Sequence, residues 1–297
     1  MKIKNCILMA VMACFSLEAG AQSALPFIRI DRNPRSSALA GAGMASVNNG
    51  WYAAFGSAAQ LGFQPQKGDV GAAVQLWEMS NDVDKTTNIQ AGAGLRFGSF
   101  GVALGGAYQM GVMQGTYTPS DRLVSLGLAY NMKEIVSIGL NARYAAQSFT
   151  QEAKVSGFSM DISALGRITP ELTVALGVGC LGSQVKGSAD AYPQPAYARA
   201  GVAWIHAIGQ EHALELALDG EYNFDGSAAG TIGLEYAYNH TLYARAGYRL
   251  AGKKALIPSH LGLGIGLQFQ GFRLEASYLT ASELLGNTLN LGAAYKF

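Results

Sequence analysis

Four histidines, His206, His212, His240 and His260, are the residues to test first for chemistry. A Ser-His or His-Asp site needs an imidazole within reach of a nucleophile or a water molecule. Three of these histidines fall at predicted tight turns and His260 stands alone beside a predicted loop. None shares a strand face with another at metal-ligand spacing. Gly92-Ala93-Gly94 has the outline of a phosphate-cradling loop but repeats with a strand period and leads into no helix. No catalytic residue, metal site or cofactor is therefore indicated. The remaining candidates are charges that recur on one parity of alternating segments: Arg96, Arg143, Asp161, Arg167, Arg199, Glu215, Asp219, Glu221, Glu235, Arg245, Arg249, Arg273 and Glu275. Both signs occur in nearly equal measure, whereas a strongly ion-selective pore carries a ring of one sign. Such a set is either a charged path or a network that ties neighbouring strands together.

The elements that must carry these charges are strands. Ile89, Ala91, Ala93, Leu95 and Phe97 alternate with Gln90, Gly92, Gly94 and Arg96, and Leu261, Leu263, Ile265, Leu267 and Phe269 alternate with Gly262, Gly264, Gly266 and Gln268. Period two gives each strand one apolar face and one small or polar face. Fourteen such stretches are predicted: 69–78, 87–97, 100–112, 121–131, 135–148, 155–167, 172–181, 196–206, 213–222, 230–238, 241–250, 260–269, 272–280 and 287–297. Their connections alternate between tight turns, such as Gly98-Ser99 and Asn239-His240, and longer polar loops, such as 182–195 and 251–259. This is the loop pattern of an outer-membrane barrel, in which apolar faces turn to lipid and polar faces line the lumen.

Composition agrees. Only 14% of the 297 residues are charged against 49% hydrophobic, where a soluble domain carries about 25% charged residues. The formal net charge is +1 with no basic run, which argues against nucleic acid as a partner. After the first twenty residues no apolar run approaches the ~18 residues of a spanning helix. Lys2 and Lys4, the apolar run Cys6 to Leu17 and the small-residue site Ala19-Gly20-Ala21 predict a cleaved secretory leader over 1–21. Aromatics recur beside the tight turns at Phe97, Phe100, Tyr130, Tyr238, Phe269 and Phe272, and Phe297 ends the chain. They are expected to form an interfacial girdle.

Residues 22–68 lack strand alternation, and the barrel is expected to span 69–297. The earlier segment is rich in apolar bulk at Trp51, Tyr52, Phe55 and Phe63, and a short helix is predicted within 35–44, capped by Ser36 or Ser37. So aromatic a segment should be buried, and the lumen is the place for it. Gly262, Gly264 and Gly266 leave bare backbone on the inward face, read as a wall opposite the charged one, and are the expected contact for this plug. Outside, Tyr192, Leu256, Ile257, Leu284 and Leu285 place apolar side chains in the long loops, where a partner or ligand would meet them.

The runs Leu25-Pro26-Phe27-Ile28-Arg29-Ile30, Pro34-Arg35-Ser36-Ser37-Ala38-Leu39-Ala40-Gly41-Ala42-Gly43-Met44-Ala45, Trp51-Tyr52-Ala53-Ala54-Phe55 and Ala58-Ala59-Gln60-Leu61 resemble the start of the PorV/PorQ-type outer-membrane proteins, relatives of the FadL-type transporters. Gly56-Ser57-Ala58 stands where that pattern has Asn-Pro-Ala. The resemblance implies a fourteen-stranded barrel with an N-terminal hatch, seated in outer-membrane lipid. It implies two functions. PorV-type members work in type IX secretion with secretion components or cargo proteins, and FadL-type members pass hydrophobic molecules.

Overall fold

A computed structural model describes residues 23–78, 85–111, 117–187, 190–280 and 287–297. The predicted leader over 1–21 and the loop residues Leu284 and Leu285 lie outside them. The strands are β1 (Gly68–Glu78), β2 (Lys85–Phe97), β3 (Phe100–Met110), β4 (Ser120–Met132), β5 (Val136–Ser148), β6 (Lys154–Arg167), β7 (Leu172–Gly182), β8 (Val185–Lys186), β9 (Ala191–Tyr192), β10 (Tyr197–Ile208), β11 (His212–Asn223), β12 (Ala228–Tyr238), β13 (Leu242–Ala251), β14 (His260–Phe269), β15 (Phe272–Thr280) and β16 (Asn287–Lys296). Fourteen of them close into one antiparallel barrel, sealed by β1 against β16, while β8 and β9 form a small hairpin in the β7–β10 connection. The barrel strands begin and end within two residues of the predicted limits, because turn and loop residues bound each alternating run.

The two faces sort as the periodicity requires. Leu263, Ile265 and Leu267 on β14 point out, as do Ile89, Leu104, Ile138, Leu176 and Ile232, with Ile265 still 66% exposed. A surface this apolar belongs in lipid. Rings at the tight-turn end pack against each other across strands in tilted pairs, Phe100 with Tyr130 at 4.9 Å and Phe272 with Tyr295 at 5.0 Å. A second exposed belt runs near the opposite strand ends through Tyr108, Tyr144, Phe158, Tyr222, Tyr248 and Tyr278. The sequence pattern singles out only the first. Two girdles bracketing an apolar band define the membrane-spanning zone. The tight turns use left-handed backbone, with φ of 50° and 52° at Asn239 and His240 and 58° at Gly98, as two-residue hairpins demand.

Residues 23–66 enter the barrel and fill it. The helix α1 spans only Pro34–Ala38 and is capped by Asn33, whose side chain accepts from the Arg35 amide at 3.0 Å. The predicted caps Ser36 and Ser37 lie inside it. Pro34 explains the start, since proline at the first helical position loses no hydrogen bond. Left-handed backbone at Ala40 and Gly41 then ends the turn. Three 3₁₀ turns, Pro26–Arg29, Gly50–Ala54 and Ala58–Phe63, make up the rest of the plug.

Candidate functional site in the filled lumen

The plug sits where the barrel carries the least side chain. Gly233, Gly247 and Gly262 are direct partners on β12, β13 and β14, and together they form a bare strip across three strands. A Cβ at Gly247 would lie 2.2 Å from the Leu39 carbonyl carbon, and one at Gly262 2.4 Å from the Ser37 oxygen. The expected plug wall of Gly262, Gly264 and Gly266 therefore needs correction in two respects. Gly262 and Gly264 meet α1, but Gly266 faces the Arg245 guanidinium. The wall is also not opposite the charged strands, because β14 pairs directly with β13. Contact follows the cross-strand row, which depends on register and is invisible along one strand.

Beside this strip the charges hold the plug. Glu215 and Glu235 are direct cross-strand partners, a like-charge pair that would repel. Arg35 of α1 enters between them, its Nε 2.8 Å from Glu235 Oε2 and an Nη2 2.8 Å from Glu215 Oε2. Arg245 continues the chain to Glu235 at 2.5 Å and Glu275 at 3.1 Å, and Arg273 reaches Glu275 at 3.4 Å. Arg273 also donates to the Asn48 carbonyl at 3.0 Å, and Ser46 donates to Glu215. Asp219 accepts from the amides of Gly43 and Met44 at 2.9 and 3.0 Å and pairs with Arg199 at 2.5 Å. Glu221 is shared by Arg249 and by Arg29 of the plug, both at 2.8 Å. On the far wall Arg143 pairs with Asp161 at 2.5 Å and donates to the Phe55 carbonyl at 2.7 Å.

The two remaining members of the set lie near the tight-turn end. Arg96 donates to the Gln64 carbonyl at 2.9 Å and pairs with Glu134, while Arg167 stacks its guanidinium 4.6 Å from the Phe63 ring centre. All thirteen charged positions thus face inward, and ten of them are buried. Uncharged residues that sequence reasoning did not single out do as much. Asn141, fully buried, accepts from the Ala58 amide at 3.0 Å and donates to the carbonyls of Ala53 and Ala54 at 2.9 Å. Within the plug, Asn49 accepts from Asn33 and Arg35 and donates to Gln60, which in turn donates to the Gly43 and Met44 carbonyls at 3.0 Å. Trp51 stacks on Tyr52 at 3.9 Å and fills the space left by Gly71 and Gly92.

A cavity of about 420 Å³ remains between plug and barrel, within the usual size of a small-ligand site. Phe27, Ile28, Ile30 and Met44 line it from the plug, and Leu256, Ile257, Pro258 and Leu279 from the barrel and its outer loop. Of the loop residues proposed as outer contacts, Leu256 and Ile257 thus face this cavity, while Tyr192 lies exposed on the small hairpin. Asp31, in the plug and on the cavity's edge, has its carboxyl pushed above the ordinary range by burial, against the lowering effects of a Ser36 hydrogen bond, the Asn33 amide and Arg199.

Next to the cavity the barrel wall is irregular. Between the pairs Met160↔Leu181 and Ile162↔Val178 the β7 strand carries one residue more than β6, a β-bulge at Gly179 and Cys180 opposite Asp161. Cys180 adopts φ 54° and its amide donates to Asp161 Oδ1 at 2.8 Å. A recess of about 880 Å³ opens beside this bulge, lined on the outward face by Ile138, Ile162, Leu176, Val178, Ala198, Ala200 and Gly220. Cavity and recess share Ile162, Ser163, Gly177, Val178, Arg199 and Glu221, so the β6–β7–β10 wall is all that separates them.

The fold and the filled lumen define a class: a fourteen-stranded transmembrane β-barrel with an inserted N-terminal segment. Solved structures share that fold. The chain is similar to the toluene transporter TbuX of Ralstonia pickettii (TM-score 0.67, 12% identity, 89% of this chain and 97% of that one). It is also similar to the monoaromatic hydrocarbon channel CymD (0.64, 14%, 93% and 98%) and to a FadL homologue of Pseudomonas aeruginosa (0.58, 11%, 89% and 98%). No protein-family model and no curated protein sequence matches it.

Proposed function

We infer that the protein is a bacterial outer-membrane channel for hydrophobic small molecules, which enter the cavity between loop and plug and leave through the wall at the β6–β7 bulge. The observation that carries this reading is the adjacency of an apolar-mouthed cavity and a lipid-facing recess across an irregular ladder. A straight passage down the lumen is filled by the plug, so an ion or a large polar solute has no open path. The similarity to a toluene transporter, a monoaromatic hydrocarbon channel and a FadL homologue supports the same direction.

The resemblance to PorV/PorQ proteins also led to the expectation of a secretion partner that receives cargo at apolar outer loops. Leu256 and Ile257 line the cavity, with Leu256 still 42% exposed, which fits a solute entrance. The thirteen inward charges are assigned to seating the plug. The test is uptake in a porin-depleted Gram-negative host. Expression should raise the initial rate of radiolabelled naphthalene uptake over an empty-vector control and leave lactose uptake unchanged. Faster lactose with no change in naphthalene would overturn the reading.

A further inference from the structure

One wall of the lumen carries amides, with the single carboxylate Asp121 among them, where the other carries paired charges. Asn290, Gln75, Asn88, Gln109, Asp121 and Gln147 are successive direct partners on β16, β1, β2, β3, β4 and β5. At about 4.8 Å per strand they form an arc about 24 Å long, perpendicular to the strands, whose tilt makes it climb along the barrel wall. An amide offers both donors and acceptors, and this arc has more of each than the protein uses. Gln75 Oε1, Asn88 Oδ1 and both polar atoms of Asn290 are buried without a hydrogen-bond partner, although the residues are at most 2% exposed. Gln75 spends only its amide nitrogen, on the Asp31 carbonyl at 3.3 Å. Buried polar atoms demand partners. Gln75, Gln109, Asp121 and Gln147 line the cavity already described, with Trp77 beside them on β1.

The arginines lining the same cavity are held within the protein. Arg29 and Arg249 share Glu221, Arg143 holds Asp161 and Arg199 holds Asp219. Arg32 donates to the carbonyls of Phe27 at 2.8 Å and Ile30 at 2.9 Å. Among the described residues, each arginine of the lining is thus held by the protein's own acceptors, Arg32 by carbonyls alone, with no carboxylate within ion-pair distance and its Nε buried without a partner. The arc itself carries donors and acceptors and no cation, and the plug and loop supply apolar surface facing it.

We propose that the cavity selects uncharged amphipathic molecules, with an apolar body and a head that both donates and accepts hydrogen bonds, over hydrocarbons and over carboxylate anions. The proposal rests on the channel reading above and names the solute class of that same cavity. The head meets the arc where it borders the cavity, at Gln75, whose Oε1 lacks a partner, and at Gln109 and Gln147, and the body lies against Phe27, Ile28 and Leu256.

Three ten-carbon probes separate the possibilities: decane, decanoate and decanamide, titrated calorimetrically into the purified barrel in detergent at pH 8, with protein-free micelles as the blank. Decanamide should bind at least about tenfold more tightly than decanoate, since burying an unpaired carboxylate is strongly disfavoured. The double variant Gln75→Leu, Gln109→Leu should weaken decanamide about tenfold or more, at about fivefold per lost hydrogen bond, and leave decane unchanged. The comparison of probes on the unaltered protein stands even if that variant does not fold. Decanoate equal to or tighter than decanamide overturns the proposal. Decane binding with no preference for decanamide overturns it while the channel reading stands, and absence of binding by all three overturns both.

Discussion

Replacing Arg35 by methionine removes the one cation between two directly paired carboxylates, Glu215 and Glu235. Two carboxylates about 5 Å apart repel by about 3 kcal/mol at an effective dielectric of about 20. Arg245 remains on Glu235 but does not reach Glu215 within ion-pair distance. Removing one partner of a buried ionic cluster costs about 3–5 kcal/mol, and methionine roughly preserves the volume, so packing loss adds little. Arg35→Met should therefore unseat α1 and lower the denaturant midpoint reported by Trp51, which is fully buried in the plug. Planar-bilayer recording should show frequent open events where the unaltered protein carries little current. Adding Glu215→Gln removes the like-charge repulsion and should restore much of both signals. An unchanged midpoint and silent bilayers for Arg35→Met would refute the claim that these charges seat the plug.

Three further outcomes follow from the same geometry. Leu263→Arg, on the lipid face, should cost about 2–4 kcal/mol near the bilayer midplane and show as loss of the heat-modifiable folded band on gels, while Gln268→Glu inside, opposite Arg273 and beside Lys296, should assemble normally. Gly247→Val must push against the Leu39 backbone, and overpacking of about 1–3 kcal/mol should raise protease sensitivity within residues 36–44 but leave the barrel band intact. For Asp31, whose folded-state pKa is raised by burial, the stability contribution is full below the unfolded carboxyl value near 4 and is lost as pH rises through the folded one. Asp31→Asn should accordingly stabilise the plug at pH 8 relative to pH 4 and flatten its denaturation profile between them.

Much of the barrel was legible because each strand states its own two faces. Leu261 to Phe269 reads outward and inward without reference to any neighbour, and the tight turns announce themselves by residue type. The plug seat was not legible in the same way. That Glu215 opposes Glu235, or that Gly233, Gly247 and Gly262 form one strip, depends on the relative register of three hairpins, which side-chain period alone does not fix. Gly266 was misassigned for that reason, since the space its missing side chain leaves is taken by Arg245 from the next strand. The amide arc shares this property: Gln75, Asn88 and Gln109 are ordinary lumen residues until the ladder aligns them. The cap of α1 was a local misreading, in which Pro34 marks the first helical turn and hence Asn33 as the cap.

The central claim is that hydrophobic solutes cross with the plug in place, leaving through the wall instead of past a displaced hatch. A disulfide can pin the two together. A Cβ built at Gly127 lies 3.3 Å from that of Ala58, close to the ~3.5–4.5 Å of a disulfide, so Ala58→Cys with Gly127→Cys in a Cys180→Ala background should oxidise readily. Naphthalene uptake by cells carrying this variant should be the same before and after reduction. Uptake abolished by oxidation and restored by reductant would contradict the account, because it would mean that the plug must move for anything to pass.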